Sequence, residues 1–339
     1  MPTMSDVAKK AGVSVMTVSR IISGTGSVKD STRKRVLRAM EELNYVPKGL
    51  TKRVIQQQIS TLMLIVPDIT NSFFTFVARG MEDVARKHGY RVFLANTDES
   101  VHKEAEYIQM CLDFHADGVL IAPVGESSRD NLQLLQQNEI PFVLIDREVT
   151  DVRADVVKGD IVGASKSLVL HLLEKGHRRI GIVLGPEENS ASRERLQGYQ
   201  QALMSHGIEM DQALVQESTM MRDLDPKFVD RLLQLPAPPT AIFVSNMFQY
   251  AHAVKRLKEL KLNVPEDISI VGFGNTDYLA AVDSPLTSAV QPAYSYGSLG
   301  TQLLVERIEG LREPPRKIHL QADIVYGESV SARHESSRH

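Results

Sequence analysis

The chain has 339 residues, 42% apolar and 24% charged, with a formal net charge of −3, which is ordinary for a globular protein of two to three domains of roughly 100–200 residues each. A single cysteine, Cys111, excludes an intramolecular disulfide and fits a reducing compartment. The N-terminus lacks a signal-peptide core, and no apolar run approaches the roughly 20 residues of a membrane span; a cytoplasmic protein with no membrane partner is expected.

The charge is unevenly spread. Up to Ile59 there are eleven basic and four acidic residues, a balance of +7, which leaves −10 for the rest. A basic head on an acidic body points to a polyanionic partner, although a charge run can also be a merely solvated face.

Thr3 followed by Asp6 forms a capping-box pattern. Val7, Ala8 and Ala11 then make an apolar stripe, and Gly12 ends the first helix. Ser14 is a second N-cap, with Thr17 three residues on. The second helix is predicted over 15–22, with Val18, Ile21 and Ile22 inward, and is broken by Gly24 and Gly26. The third is predicted over 30–43, with Val36, Met40 and Leu43 inward. Three such short helices bury little alone; their economical use is to present the second to a DNA major groove. The candidate DNA contacts are Thr3, Ser14, Val15, Met16, Thr17, Ser19, Arg20, Ser23, Ser27 and Tyr45. Arg20 suits either a guanine edge or a phosphate.

The ungapped run from Asp6 through Ile22, DVAKKAGVSVMTVSRII, resembles the N-terminal signature of the LacI/GalR family of bacterial repressors, as do Thr32 to Leu37 and Glu42 to Pro47. The resemblance implies a DNA-binding domain over 1–46 and a hinge over 47–59 that orders on operator DNA. Thr51, Lys52 and Val54 are its candidate contacts, Val54 standing where the family has a minor-groove leucine. Lys48, Gly49 and Thr51 depart from the usual pattern, so a plain linker ending at Gln56-Gln57-Gln58 is the alternative.

From Ser60 onward, short apolar runs alternate with amphipathic segments. Strands are predicted over 61–66, 91–95, 118–122 and 142–146, with helices over 73–88, 101–114 and 129–138. A second set follows, with strands over 179–184, 214–217, 241–245 and 268–273, and helices over 161–175, 194–206, 226–235 and 246–261. The fold class is therefore an N-terminal three-helix helix-turn-helix domain, then two doubly wound α/β lobes. The resemblance extends over this body through Ile65 to Phe74, Gly176 to Ile180, Arg193 to Tyr199 and Val264 to Phe273. It implies a periplasmic-sugar-binding-protein-like architecture over 60–330. Lobe 1 takes about 60–160 and 291–322, and lobe 2 about 161–290 and 323–330, with crossovers near Asp160, Val290 and Ala322. A polar tail over 331–339 lacks leucine heptads, so a homodimer is implied.

Ligands of paired open sheets bind in the cleft at the strand ends. By resemblance, the effector contacts are Phe73, Phe74, Asp146, Arg195, Asn246, Gly274 and Gln291, with Met220 and Met221 over the mouth. Phe73 and Phe74 also suit a core, and Asp146 could instead cap a helix or pair with Arg147. The family's usual acids are replaced by Met247 and Gly274. With Arg195 kept, this predicts a ligand bearing an anionic group beside hydroxyls, such as a sugar acid or sugar phosphate.

No complete phosphate-binding fingerprint occurs: Gly272-x-Gly274 has Asp277 where the third glycine belongs, and Gly297-x-x-Gly300 falls within a helical stretch. His177 is expected to cap a helix end or meet solvent, and Cys111 to fill a core. No enzymatic activity, metal or cofactor is expected. The function implied is a DNA-binding transcriptional regulator, a repressor, tuned by a small sugar or sugar-acid-like effector. The competing classes are a transport-type binding protein and an architectural DNA protein that ignores small molecules. Some relatives answer to a phosphorylated partner protein instead of, or besides, a small effector; no residue set here decides that point.

Overall fold

The computed structural model describes residues 2–23, 28–43, 45, 60–221, 226–274 and 286–333. The chain divides near Ser60 into two compact units.

The first unit holds α1 (Met4–Ala11), α2 (Val15–Ser23) and α3 (Asp30–Glu42). The capping box forms: the Asp6 amide donates to Thr3 Oγ1 at 3.3 Å, and the Thr3 amide donates back to Asp6 Oδ2 at 2.7 Å. Gly12, at φ 64°, ends α1. Ser14 opens α2 by accepting the Thr17 amide at 3.1 Å. Val7, Ala8, Ala11, Val18, Ile21, Ile22, Val36, Ala39 and Met40 form one buried cluster. Glu42 reaches Lys10 at 2.9 Å and Arg38 at 3.1 Å, tying the end of α3 to α1.

The second unit contains two six-stranded sheets. The first has the order β11-β5-β4-β3-β1-β2, from β1 (Thr61–Val66), β2 (Arg91–Asn96), β3 (Gly118–Ile121), β4 (Phe142–Ile145), β5 (Asp155–Gly159) and β11 (Lys317–Leu320). The second has the order β12-β10-β9-β8-β6-β7, from β6 (Ile180–Leu184), β7 (Val215–Glu217), β8 (Ala241–Val244), β9 (Ser269–Phe273), β10 (Thr287–Val290) and β12 (Asp323–Val325). All pairings are parallel except β10 with β12, so most strands need a covering helix and read as continuous apolar runs. The helices are α4 (Ser72–Lys87), α5 (Val101–Asp113), α6 (Arg129–Gln137), α7 (Ile161–Glu174), α8 (Ser190–Ser205), α9 (Lys227–Leu233), α10 (Met247–Glu259) and α11 (Ala293–Ile308). The chain passes between sheets at 160, 291–292 and 321–322. In the first lobe, α4 and α11 approach so closely that a Cβ on Gly297 would stand 1.9 Å from the Val77 carbonyl oxygen, and one on Gly80 2.1 Å from that of Tyr294. Gly297 thus serves helix packing, while Gly300 seats α11 on the sheet, where a Cβ would stand 2.7 Å from Leu120 Cδ1.

The expected two-sheet fold is found, with local corrections. Strand β5 was not anticipated, because Asp155 and Lys158 interrupt its apolar run. Both are buried and paired: Asp155 with Arg307 at 2.8 Å and Arg316 at 3.4 Å, Lys158 with Glu148 at 3.1 Å and with Glu194. The short strands β10, β11 and β12 were also missed. Helix α8 starts at Ser190, not at 194, because Asn189 caps it by accepting the Ala191 amide at 2.9 Å. His177 neither meets solvent nor caps with its ring: it is buried, with Nδ1 2.8 Å from Thr240 Oγ1 and Nε2 3.1 Å from the Ser331 carbonyl. Residues 331–333 are accordingly packed on the second lobe, where the Arg333 amide also donates to the Lys175 carbonyl at 2.7 Å.

Candidate DNA-binding face and effector cleft

In α2 the inward side takes Val18, Ile21 and Ile22, which leaves the N-terminal turn facing out. Val15 is 45% exposed and Met16 65%, so both apolar side chains are open on that turn. Arg20 and Ser14 are exposed, and Thr17 and Ser19 half-buried. The Thr17 hydroxyl lies 2.8 Å from Ser14 Oγ, so these two hydroxyls orient each other at the helix start. Two expected contacts have structural duties. The Thr3 hydroxyl is engaged with Asp6 at 2.7 Å, and Tyr45 packs half-buried against the helical core. Ser27, Thr51, Lys52, Val54 and the Ser23 side chain lie outside the described residues.

In the second unit, a cavity of about 280 Å³ opens where the strand ends of the two lobes face each other, near the lower end of the usual small-molecule range of about 300–1,000 Å³. Its lining includes all seven expected effector contacts: Phe73, Phe74, Asp146, Arg195, Asn246, Gly274 and Gln291. Met220 also lines it, whereas Met221 does not.

From lobe 1, the N-terminus of α4 supplies both phenylalanines. Phe74 belongs to the core, while Phe73 is half-buried and stands edge-on to Phe74 at 5.0 Å and to Tyr296 at 5.1 Å. Gln291 donates to the Tyr296 hydroxyl at 2.8 Å. Asp146 follows β4 in a left-handed conformation, φ 63°, which turns it to the strand ends; it caps no helix. Its contact with Arg147 is loose, 3.8 Å to Nε. Arg147 instead meets Glu99 with both amino groups at 2.7 Å and donates to the Pro123 and Val124 carbonyls.

Asp68 is a lining residue not among the expected contacts. It sits just past β1, 7% exposed. Its Oδ1 accepts from the Thr70 amide at 2.8 Å and the Thr70 hydroxyl at 2.7 Å, while its Oδ2 is buried without a hydrogen-bond partner. The signal was available: Asp68 follows a strand directly, where cleft residues sit in such folds.

From lobe 2, Arg195 rises from α8, 4% exposed, with its guanidinium 4.5 Å from the Phe273 ring centroid. Its Nε and Nη1 are buried without partners. Burial pulls this guanidinium below its ordinary value and nearby Asp146 pulls the other way. Asn246 caps α10, accepting the Gln249 amide at 2.9 Å and donating to the Met220 carbonyl at 2.8 Å. Gly274, at φ 153°, has Met247 against it: a Cβ there would stand 2.3 Å from Met247 Cγ. Beside the expected Asp146, the cleft holds a further carboxylate, Asp68, and the Glu99–Arg147 ion pair, so the loss of acids at 247 and 274 does not leave Arg195 dominant.

Residues 3–48 match the family described as bacterial regulatory proteins, lacI family, and residues 169–330 a periplasmic binding protein-like domain. The chain is 35% identical over 309 residues to the HTH-type transcriptional repressor CytR of Escherichia coli (strain K12), covering 91% of this chain and 90% of that protein. The chain belongs to the lacI family of bacterial regulatory proteins. Another member, the catabolite control protein A of Priestia megaterium, is 33% identical over 90% of this chain and 92% of its own. The solved complex of the transcriptional regulator CelR with cellobiose superposes with a TM-score of 0.72 at 30% identity, covering 97% of this chain and all of that one. As a lacI-family member, this protein is a DNA-binding transcriptional regulator. Cys111 is buried in the lobe 1 core, where burial pushes its thiol up to about 12, so it presents no thiolate to the cleft.

Proposed function

We propose that the protein is a repressor that binds operator DNA as a homodimer in the cytoplasm, and that a hydroxyl-rich effector in the interlobe cleft modulates that binding. No catalytic step is assigned to it. Each protomer lays α2 in a major groove, with Val15, Met16, Thr17 and Arg20 toward base edges and phosphates. Residues 47–59 serve as the hinge, with Val54 as a small minor-groove wedge next to phosphate contacts from Lys52 and Arg53.

One observation carries the effector class. An acceptor, Asp68 Oδ2, and two donors, Arg195 Nε and Nη1, are buried without partners around the same cavity, one set on each lobe. A hydroxyl both donates and accepts, so a polyol bridges the two sets and favours the lobe arrangement that brings them together. A plain anion would pair with Arg195 but would face Asp68 and Asp146. The effector is therefore a neutral sugar-like molecule, or a sugar acid whose acidic group keeps to Arg195. CelR, the relative solved with cellobiose, is in keeping with that class.

The test is calorimetry on the full chain with matched pairs, each a neutral sugar and its uronic acid. Tighter binding of the neutral member in the pair that binds supports the polyol reading; binding of simple anions with no hydroxyl requirement overturns it.

A further inference from the structure

The two walls of the cleft differ in chemistry. The lobe 1 wall carries Asp68, Asp146 and the Glu99–Arg147 pair. On the lobe 2 wall, among the described residues, the polar side chains other than Arg195 are turned to backbone. Ser245 Oγ donates to the Val183 carbonyl at 2.7 Å, and Asn246 is held by the Gln249 amide and the Met220 carbonyl. What remains there is apolar: Met220, Met247 and Phe273.

Both methionines are seated on glycines. A Cβ on Gly274 would stand 2.4 Å from Met247 Sδ, and a Cβ on Gly185 2.5 Å from Met220 Sδ. Any larger residue at either position would displace a thioether from its place beside the cavity. Met247 is half-buried at the start of α10. Met220 is fixed by the bond from Asn246 to its carbonyl, and the preceding Thr219 carbonyl accepts from Gln249 at 3.4 Å. Thioethers are polarizable and pack well against aromatic edges, and the planar guanidinium of Arg195, already lying over Phe273, stacks with flat rings.

We propose that Met220, Met247 and the Arg195–Phe273 pair form a second subsite, specific for a flat apolar substituent on the hydroxylated effector. The ligand is two-sided, its hydroxyls toward Asp68, Asp146 and the edge nitrogens of Arg195, and an aromatic group toward the methionines and the guanidinium face. This rests on the hydroxyl-rich effector proposed above.

The experiment uses the full chain and methyl and phenyl glycosides of glucose, galactose and ribose, with affinity read by calorimetry. In the sugar series that binds, the phenyl glycoside is expected to bind about tenfold more tightly than the methyl glycoside, the order of burying a few apolar carbons. Met247→Asp is expected to shrink that ratio toward one, while Met247→Leu, which keeps an apolar side chain of similar size, retains most of it. Equal affinity of methyl and phenyl members, or a ratio unmoved by Met247→Asp in a protein of unchanged thermal midpoint, overturns the subsite and leaves the hydroxyl reading standing. Failure of every methyl and phenyl glycoside to bind overturns the hydroxyl reading, and the subsite with it.

Discussion

Arg195 stacks its guanidinium on Phe273 at 4.5 Å while two of its nitrogens remain buried without partners. A buried donor left unsatisfied costs about 1–3 kcal/mol, and a ligand that supplies acceptors recovers it. Arg195→Leu is therefore expected to raise the stability of the unliganded protein by about 1 kcal/mol and to abolish the effector response. Chemical denaturation of the two proteins checks the first half. A loss of stability would mean that the guanidinium is already satisfied without ligand.

At the DNA face, Arg20→Ala is expected to cost about 1–3 kcal/mol if Arg20 reads a base, with a sharper loss on operator than on random DNA. An equal loss on both assigns Arg20 to phosphate. Met16, 65% exposed, is expected to touch a thymine methyl, so sites selected by Met16→Ala should differ from those of the parent; identical selected sites would remove Met16 from the readout.

Much of this was legible in the sequence because the causes are local. Thr3, Asp6, Gly12 and Ser14 punctuate the head, and alternation of apolar runs with amphipathic segments reveals the two sheets. What was hidden depends on partners far along the chain. Asp155 and Lys158 disguise β5 because their counter-charges come from Arg307, Arg316 and Glu194. His177 looked solvated because its partners, Thr240 and Ser331, are remote. Loss of the acids at 247 and 274 left Asp146 as the one expected carboxylate of the cleft, yet Asp68 adds another from the same lobe.

Asp155 also sets an acid limit. Burial pushes its carboxyl up, but Arg307 and Arg316 more than offset this, and it is held below its ordinary value of 3.8. The stabilisation it gives is complete above that value and is lost as pH falls through the lower folded value. The thermal midpoint is thus expected to drop below about pH 4. Asp155→Asn, which leaves Arg307 beside a neutral group, is expected to cost about 2–3 kcal/mol at neutral pH and to flatten that acid limb. A midpoint unchanged at neutral pH contradicts it.

On one side of the cleft the lobes are joined directly. Arg193 meets Glu126 at 2.9 Å, Ser190 Oγ accepts the Glu148 amide at 2.9 Å, and the Glu126 amide donates to the Glu188 carbonyl at 3.2 Å. Replacing both Arg193 and Ser190 with Ala is expected to speed hydrogen exchange at the Glu126 and Glu148 amides, since these report lobe separation. The global stability should fall by only about 1 kcal/mol, because the ion pair is partly exposed. Unchanged exchange at both amides would show that other contacts hold the lobes.

The central claim, that ligand in the cleft governs DNA binding by the head, is tested most directly by selecting duplex sites from a random library with the full chain. The affinity for the best site is then measured with and without the glycosides and sugars above. Expected are a two-fold symmetric site, an affinity that falls steeply with salt, and a change of at least about tenfold on adding the sugar that calorimetry shows to bind, the scale of an ordinary coupling free energy. That change should be absent in Arg195→Leu. A selected site whose affinity is unmoved by a ligand bound in the cleft, or moved equally in Arg195→Leu, would contradict it.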